Sequence, residues 1–302
     1  MSITTQTQRA AVIGLGSMGA GMAGALLRAG FQVSACDVNP EAVARFREAG
    51  GEAAANPAEA AEGAAVVVAV VVNAAQTEAV LFGPDGAAAA MPEGAVFVSS
   101  ATMDPAIARR LAARLEETGR HYLDAPMSGG AARAADGALT FLASGSAAAF
   151  DAARPALGAM AGTLYELGDE AGQGAAFKMI NQLLAGVHIA AAAEAMALGL
   201  REGVDAAALY EVITHSAGNS WMFENRMAHV LAADYTPLSA VDIFVKDLGL
   251  VLDTARASKF PLPLASTAHQ MFMQASTAGF AREDDSAVIK IFPGIELPKK
   301  KD

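Results

Sequence analysis

The glycine-rich segment Val12-Ile13-Gly14-Leu15-Gly16-Ser17-Met18-Gly19 constrains the fold of this chain more than any other feature. It follows a short apolar run and opens into Ala-rich sequence typical of a helix. A G-x-G-x-x-G turn between a strand and a helix allows a tight turn, close approach of a pyrophosphate and close packing of the helix on the strand. The helix N-terminus also attracts phosphate. We therefore predict a dinucleotide site whose contacts include Gly14, Leu15, Gly16, Ser17, Met18 and Gly19.

The carboxylate of Asp37 bears on which dinucleotide binds. Residues 31–37 alternate as in a strand, so Asp37 is predicted to lie at the strand end, where it would accept hydrogen bonds from the adenine ribose and repel a 2′-phosphate. The following Val38, Asn39 and Pro40 provide no cation for a phosphate. NAD is therefore favoured over NADP. The alternative is that Asp37 only caps the helix that begins near Pro40.

Length and charge limit the function classes. A chain of 302 residues with 53% hydrophobic residues can bury the cores of two domains. Its net charge of −11 argues against nucleic acid or an anionic membrane as the main partner. The single cysteine, Cys36, excludes a disulfide framework, and the polar N-terminus lacks the pattern of a signal peptide. No His, Cys, Asp and Glu spacing indicates a metal site. We expect a cytoplasmic protein.

Two apolar stretches need to be tested as membrane spans. Residues 64–72 are too few to cross a bilayer, and their β-branched side chains favour a strand buried on both faces. Residues 183–200 are long enough but are mostly Ala and include His188 and Glu194, which are costly in lipid. We interpret the second stretch as a helix buried between protein layers.

The order of elements predicts an α/β fold with a parallel sheet covered on both faces. Predicted strands cover residues 10–14, 31–37, 64–72, 96–98 and 121–124. Predicted helices cover residues 17–29, 40–49, 76–82 and 105–118. Two further short strands are expected at 138–144 and 163–167, and beyond Gly174 the pattern indicates only helices. The predicted domains are therefore residues 1–171, which bind NAD, and residues 172–302, which are all helical and serve substrate binding and oligomerisation.

Lys178 is the candidate acid–base group. It lies in an otherwise apolar helix start that includes Gly172 and Gly174. Desolvation there would lower the pKa of its ammonium toward neutrality, as general acid–base catalysis requires. Asn181 lies three residues later, on the same helical face, and could orient the substrate or the amine. The alternative for an isolated lysine near a helix start is a solvated surface charge.

Four ordered motifs resemble the β-hydroxyacid dehydrogenase family, which includes 3-hydroxyisobutyrate dehydrogenases and tartronate semialdehyde reductases. They are the glycine-rich turn with its helix, the segment Asp124-Ala125-Pro126-Met127-Ser128-Gly129-Gly130, the segment from Gly172 to Asn181, and Lys246-Asp247-Leu248-Gly249-Leu250. The resemblance spans nearly the whole chain. It implies an N-terminal Rossmann domain, a long connecting helix and an all-α C-terminal domain, with the active site in the cleft between the domains.

The same resemblance assigns roles to individual residues. It makes Lys178 the catalytic lysine and places Ser128, Gly129 and Gly130 at the substrate carboxylate, where a Ser-Gly-Gly turn could also form an anion-binding nest. An ordinary glycine turn is the alternative. The resemblance also implies four further cofactor-binding residues, which are Thr102, Lys246, Val71 and Val72. The chain departs from the family pattern at Val71-Val72, where Leu-Pro is usual, and at Ala25, where Asn is usual.

The C-terminal half resembles the L-threonate dehydrogenase branch of the family over residues 182–194, 214–226 and 239–246. This implies oxidation of the C2 hydroxyl of L-threonate to 2-oxo-tetronate with NAD. A small anionic polyhydroxy acid needs polar contacts, for which His188, Asn219, Ser220 and Asn225 are candidates, although each could instead be a satisfied polar residue or a helix cap. Trp221 is expected in the core. The open alternatives are 3-hydroxyisobutyrate, tartronate semialdehyde or glycerate, and 4-hydroxybutyrate as substrates, or a non-catalytic NAD-binding module.

The quaternary structure is expected to be a homodimer or homotetramer. The Ala-rich helix predicted over residues 175–200 has small side chains that let helices of two subunits approach closely.

Overall fold

A computed structural model of the protein describes residues 8–300. The chain forms two compact units, of which the first ends at Lys178 and the second begins at Met179. This division falls inside the helix that begins at Gln173, because the first turn of that helix is hydrogen-bonded to the first unit. The functional boundary expected at residues 171/172 stays a prediction.

The first unit contains a six-stranded parallel sheet in the order β3-β2-β1-β4-β5-β6. Its strands are β1 (Arg9–Ile13), β2 (Gln32–Cys36), β3 (Glu52–Ala53), β4 (Val66–Ala69), β5 (Val96–Ser99) and β6 (His121–Asp124). This order is that of the dinucleotide-binding Rossmann fold, and it brings the carboxyl ends of β1 and β4 side by side at the point where the strand order reverses. The predicted α/β fold is confirmed.

Helices cover both faces of this sheet. They are α1 (Ser17–Arg28), α2 (Pro40–Glu48), α3 (Pro57–Ala61), α4 (Ala74–Phe82), α5 (Ala87–Ala90), α6 (Pro105–Glu116), α7 (Gly130–Ala135) and α8 (Ala147–Met160). Successive strand residues alternate between two cores: Val12 packs with α1 and α8, and Ile13 packs with α3 and α6. Burial on both faces explains why β4 is entirely apolar and β5 is apolar up to its last residue, Ser99.

A second sheet of three strands follows β6. Strand β7 (Met127–Ser128) pairs antiparallel with β8 (Leu139–Ala143), and β8 pairs parallel with β9 (Ala161–Glu166). The expected strands at 138–144 and 163–167 are thus present, but they form a separate sheet. Helix α7 packs against α1, where a Cβ on Gly21 would lie 2.7 Å from the backbone nitrogen of Ala135.

The strand expected over residues 64–72 is shorter than predicted, because β4 ends at Ala69. Val70 still donates its N–H to Ile13 O at 2.8 Å. Its own carbonyl oxygen would lie 2.4 Å from a Cβ on Gly14. The chain leaves the sheet here to pass beside the glycine-rich turn, so the apolar character of Val71 and Val72 does not indicate strand.

The second unit contains no strand within the described residues. Its helices are the main part of α9 (Gln173–Arg201), α10 (Ala206–Thr214), α11 (Trp221–Ala232), α12 (Val241–Ala257) and α13 (Pro263–Ala275), followed by a π-helical segment (Ser276–Phe280) and a 3-10 helix (Asp285–Ile291). They enclose one apolar core that includes Ile189, Phe244 and Phe272. The expected long helix and all-helical C-terminal part are confirmed.

Helix α9 is the one helix among residues 8–300 that is long and apolar enough to cross a membrane. Its residues Ile189, Ala193 and Met196 are fully buried in the core of the second unit. A core helix of a globular protein satisfies the same criteria of length and composition. We therefore interpret α9 as a core helix.

Candidate active site

The glycine-rich turn lies between β1 and α1 and is shaped by two close approaches. Gly14 has φ +97°, which favours glycine, and a Cβ there would meet Val70 O. A Cβ on Gly19 would lie 1.9 Å from Gly14 O. Gly16 differs, because a Cβ there would have no atom within 4 Å. The backbone at Gly16 thus faces open space, as the approach of a pyrophosphate requires.

The start of α1 suits an anionic ligand. Gly16 is the N-cap residue, it provides no side-chain cap, and the first turn, which includes Ser17 and Met18, has no acidic side chain. The N–H groups of this turn are therefore not capped by a side chain of their own helix. Leu15 differs from its predicted role in one respect: its N–H donates to Asp37 Oδ2 at 2.5 Å, and its side chain is buried.

Asp37 follows β2, and its carboxylate is hydrogen-bonded to the backbone of two loops. Its Oδ2 accepts from Leu15 N, and its Oδ1 accepts from Asn39 N at 2.7 Å. A carboxylate has about four acceptor positions, so two remain for ribose hydroxyls. The alternative that Asp37 caps the next helix is wrong, because Asn39 is the N-cap of α2 and accepts from Glu41 N. These residues fit NAD, which would lie along the turn and Asp37.

The other predicted cofactor residues of the first unit lie at the same edge of the sheet. Val71 and Val72 follow β4, and Thr102 follows β5. Val71 Cγ1 is 3.6 Å from where a Cβ on Gly14 would lie, and the side chain of Val72 is exposed. Thr102 is half-buried between two fully buried neighbours. Because the carboxyl ends of parallel strands meet at one edge, the topology brings these residues together with the glycine-rich turn.

The Ser128-Gly129-Gly130 turn joins β7 to α7. Ser128 pairs with Thr140 in the second sheet. Gly129 (φ +138°) and Gly130 (φ +75°) both have positive φ, and both are exposed. A Cβ on Gly129 would lie 2.9 Å from Arg133 Cδ, whereas Gly130 faces open space. The two glycines are thus exposed and carry no side chain over their backbone, and the role of the turn at the substrate carboxylate stays a prediction.

Lys178 lies in the second turn of α9 and is 9% exposed. The desolvated environment expected from its apolar neighbours is therefore present. The alternative of a solvated surface lysine does not fit this burial. Its catalytic role stays a prediction.

The N-terminus of α9 is anchored by two buried side chains, Asp124 and Ser144. Asp124 Oδ2 accepts from Gly172 N at 2.9 Å and from Ala175 N at 2.8 Å. Ser144 Oγ accepts from Gly174 N at 2.9 Å. Burial raises the pKa of Asp124 to about 6, although these hydrogen bonds by themselves lower the pKa. Sequence reasoning used Asp124 only as the start of a motif; an acidic residue that ends a buried strand is the signal that could have singled it out.

Asn181 and Lys246 belong to one hydrogen-bonded group in the second unit. Asn181 Nδ2 donates to Gln182 Oε1 at 3.1 Å, and Gln182 Nε2 donates to Asp247 Oδ2 at 2.6 Å. Lys246 Nζ donates to Asp247 Oδ1 at 2.5 Å. Sequence reasoning did not single out Gln182 or Asp247. The signal was weak: each is a polar residue next to a predicted site residue.

The polar candidates of the C-terminal half are partly engaged elsewhere. Ser220 is the N-cap of α11 and accepts from Phe223 N, as one alternative expected. Asn219 donates to Thr214 O and to Glu224 Oε1, while His188 is exposed. Asn225 Oδ1 accepts from Arg226.

The expectation that Trp221 is a core residue is wrong, since it is 65% exposed. It is the first residue of α11, and the helix instead buries Phe223, two residues later. Within residues 8–300, no group of three or more His, Cys, Asp or Glu side chains is placed to hold a metal ion.

Comparison with known families covers both parts of the chain. Residues 9–168 match a family described as the NAD-binding domain of 6-phosphogluconate dehydrogenase. Residues 172–292 match a family described as the NAD-binding part of NADP-dependent 3-hydroxyisobutyrate dehydrogenase. The two matches correspond to the Rossmann domain and the helical part described above.

Individual relatives resemble the chain over nearly its full length. An L-threonate dehydrogenase of Cupriavidus necator is 67% identical over 96% of this chain and 97% of its own. An L-threonate dehydrogenase of Pectobacterium atrosepticum is 54% identical over 99% of this chain and 98% of its own. A Salmonella typhimurium crystal structure named as 3-hydroxyisobutyrate dehydrogenase is 55% identical, with a TM-score of 0.89 over 94% of this chain and 100% of its own. The chain therefore belongs to the β-hydroxyacid dehydrogenase family and is an NAD-dependent dehydrogenase of the branch that contains the L-threonate dehydrogenases.

Proposed function

We propose that the protein oxidises the C2 hydroxyl of L-threonate with NAD and forms 2-oxo-tetronate. The observation that carries this proposal is the 67% identity over 96% of the chain to an L-threonate dehydrogenase. The open backbone at Gly16 and the carboxylate of Asp37 support the cofactor assignment. The Ser128-Gly129-Gly130 turn supports a substrate that carries a carboxylate.

In the proposed reaction Lys178 is the general base. Its neutral amine accepts the proton of the C2 hydroxyl, and its side chain is only 9% exposed. The N–H groups of the Ser128 to Gly130 turn hold the substrate carboxylate, and Asn181 orients the hydroxyl or the amine. When bound, NAD supplies the acceptor for the hydride that leaves C2. The products are the ketone at C2, NADH and a protonated lysine that returns its proton to solvent.

The cofactor assignment extends to the remaining predicted contacts. Leu15, Ser17 and Met18 would act through the backbone of the glycine-rich turn, and Val71, Val72 and Thr102 would contact the cofactor from the carboxyl ends of β4 and β5. Lys246 would contribute a positive charge next to the cofactor. Asp37 would favour NAD over NADP, because its carboxylate repels a 2′-phosphate.

A substrate panel tests the proposed function. Purified protein is assayed for NADH or NADPH formation by absorbance with L-threonate, D-threonate, D-erythronate, 3-hydroxyisobutyrate, glycerate and 4-hydroxybutyrate. We expect selective oxidation of L-threonate with NAD, because a site built to bond several hydroxyls rejects analogues that lack them. K178A protein prepared in parallel shows whether a contaminating dehydrogenase contributes. Preference for another acid would overturn the substrate, and no turnover with any acid would favour a non-catalytic NAD-binding module.

A second candidate substrate is 3-hydroxyisobutyrate. The Salmonella relative at 55% identity carries that name in its crystal structure, although relatives at 54% and 67% identity are named for L-threonate. The two acids differ in polarity, since L-threonate carries three hydroxyls and 3-hydroxyisobutyrate one hydroxyl and a methyl group. The ratio of their kcat/KM values therefore decides between them.

The proposed function extends to the location, oligomeric state and partners of the enzyme. We infer a cytoplasmic homodimer or homotetramer that acts on a small anionic polyhydroxy acid and engages neither nucleic acid nor membrane, in line with its net charge of −11. Helix α9 supports subunit packing, because Ile180, Leu184 and Leu198 are about half or more exposed along it. Ile180 and Leu184 lie four residues apart on one helical face, and a contiguous exposed apolar patch is typical of a protein interface.

A further inference from the structure

Two proposed site residues, Asn181 and Lys246, are connected by a continuous chain of hydrogen bonds. The chain runs from Asn181 through Gln182 and Asp247 to Lys246, with donor–acceptor distances of 3.1, 2.6 and 2.5 Å. All four residues belong to the second unit. Asn181 and Lys246 are 65 positions apart in sequence, yet the partner of Asn181 is hydrogen-bonded to the partner of Lys246.

The two connecting residues are buried between helices that approach closely. Gln182 is 8% exposed and Asp247 is 2% exposed. One turn beyond Gln182, a Cβ on Gly186 would lie 2.9 Å from Leu248 Cδ1 and 3.0 Å from Phe244 Cδ1. Because Gly186 has no side chain, α9 and α12 can approach closely near the point where Gln182 and Asp247 meet. Neither side chain can turn to solvent without moving a helix.

The chemistry of the groups gives this chain of bonds a fixed direction. An ionised carboxylate only accepts, so Asp247 requires the Nε2 donor of Gln182. That orientation leaves Oε1 of Gln182 toward Asn181, which must donate through Nδ2. The amide of Asn181 is therefore turned so that its Oδ1 is the end away from Gln182. At the other end, Asp247 holds the ammonium of Lys246, whose remaining donors can serve an anion.

We propose that Gln182 is a positioning residue that couples Asn181 to Lys246 through Asp247, and that it sets which end of the Asn181 amide is presented to the substrate. The proposal rests on the proposed function for the roles of Asn181 and Lys246. Gln182 itself does not touch substrate or cofactor. It holds the Asn181 oxygen as an acceptor for the substrate hydroxyl or for an ammonium, and it ties that orientation to the position of the Lys246 charge.

A double-mutant cycle tests this coupling. N181A, K246A and the double variant are compared by kcat/KM in the wild-type background and again with Q182M, which keeps a similar length but cannot connect the two ends. Groups in one hydrogen-bond network depart from additivity, here by at least about threefold. We expect that departure in the wild-type background and its loss with Q182M. The assay uses whichever hydroxy acid the wild type oxidises fastest, so an error in the substrate does not affect the test.

Two controls separate positioning from general stability. D285N removes the charge of the buried partner of Arg226, which is in the same unit but is not part of this chain of bonds, and should lower the unfolding temperature while the coupling persists. Q182L, which likewise cannot connect the two ends, replaces Q182M if that variant does not fold. Additive effects of N181A and K246A in the wild-type background would overturn the proposal. Coupling that survives the change at Gln182 would overturn it as well.

Discussion

At the scale of single residues, Lys178 carries the proposed chemistry. It is 9% exposed, whereas Lys259 is exposed after the end of α12. We expect K178A to lower kcat by roughly 10²- to 10⁴-fold, because the proton acceptor is lost. NADH binding should persist, since none of the proposed glycine-rich contacts is changed. Steady-state kinetics and a fluorescence titration with NADH measure the two effects. K259A should keep wild-type values, and a K178A enzyme with wild-type turnover would remove the assignment.

The second prediction at this scale concerns the charge of the Asp37 carboxylate. D37N keeps an oxygen that can accept from Leu15 N but removes the charge that would repel a 2′-phosphate. We expect the ratio of kcat/KM for NAD to that for NADP to fall by about tenfold, which corresponds to about 1.4 kcal/mol. Initial rates with each cofactor at saturating substrate provide the ratio. An unchanged ratio would mean that Asp37 serves only to hold the two loops.

The sequence predicted some of these residues better than others. The placement of Lys178 and Asp37 was predictable because it follows from local sequence: an apolar helix start and the end of a strand. The partners of Asp124 and of Gln182 lie 48 and 65 positions away, respectively. Such pairs form only when β6 or α12 packs against α9, so no local pattern contains them. Trp221 shows the same limit, since its exposure depends on how α11 turns in the folded unit.

At the scale of elements, the buried anchor of α9 makes stability depend on pH. Burial raises the pKa of Asp124 to about 6 from a usual value of 3.8. The folded state therefore binds this proton more tightly than the unfolded state, and the contribution to stability is present below pH 3.8 and lost as the pH rises through about 6. We expect the unfolding temperature of the wild type to fall relative to that of D124N across this window. Thermal unfolding at several pH values measures it, and a constant difference would contradict the raised pKa.

The glycines at the start of α9 provide another test at this scale. A Cβ on Gly174 would lie 2.3 Å from Leu142 O and 2.8 Å from Asp124 O, so G174A must displace the helix start. We expect a loss of about 1–3 kcal/mol in the free energy of unfolding, together with lower turnover. G158A is the matched control, because Gly158 lies in α8 and a Cβ there would have no atom within 4 Å. That variant should be neutral or more stable by up to about 1 kcal/mol.

Element prediction was accurate where periodic patterns were long. Four strands (β1, β2, β5 and β6) and four helices (α1, α2, α6 and α9) were expected close to their observed bounds, whereas β4 is shorter than predicted. Short elements such as β3, α3 and β7 were not predicted, because two to five residues carry little periodicity. Helix α8 was not predicted either, although it has 14 residues. Helices α3 and α8 nevertheless carry a local signal, since Asn56 and Ser146 cap them with their side chains.

At the scale of the whole molecule, the parallel sheet with helices on both faces and the helical C-terminal part followed from the alternation of elements and the change after Gly174. The strand order was not predicted, because it depends on which strands pair in the folded unit.

A substitution on α9 tests the proposed subunit packing. Leu198 on α9 is 62% exposed, and Val212 on α10 is 61% exposed. We expect L198E to lower the molar mass in light scattering at least twofold, because a charge would be buried between subunits. V212E should leave it unchanged. A monomeric wild type, or an L198E protein with wild-type mass, would contradict packing through α9.

Isotope transfer tests most directly which carbon of which acid the enzyme oxidises. L-threonate that carries deuterium at C2 is incubated with NAD and the wild-type enzyme, and the reduced cofactor and the oxo acid are analysed by mass spectrometry. Oxidation at C2 requires the deuterium to appear in the reduced nicotinamide and to be absent from the product. Retention of deuterium in the oxidised acid would place the reaction at another carbon, and the absence of both products would contradict L-threonate as the substrate.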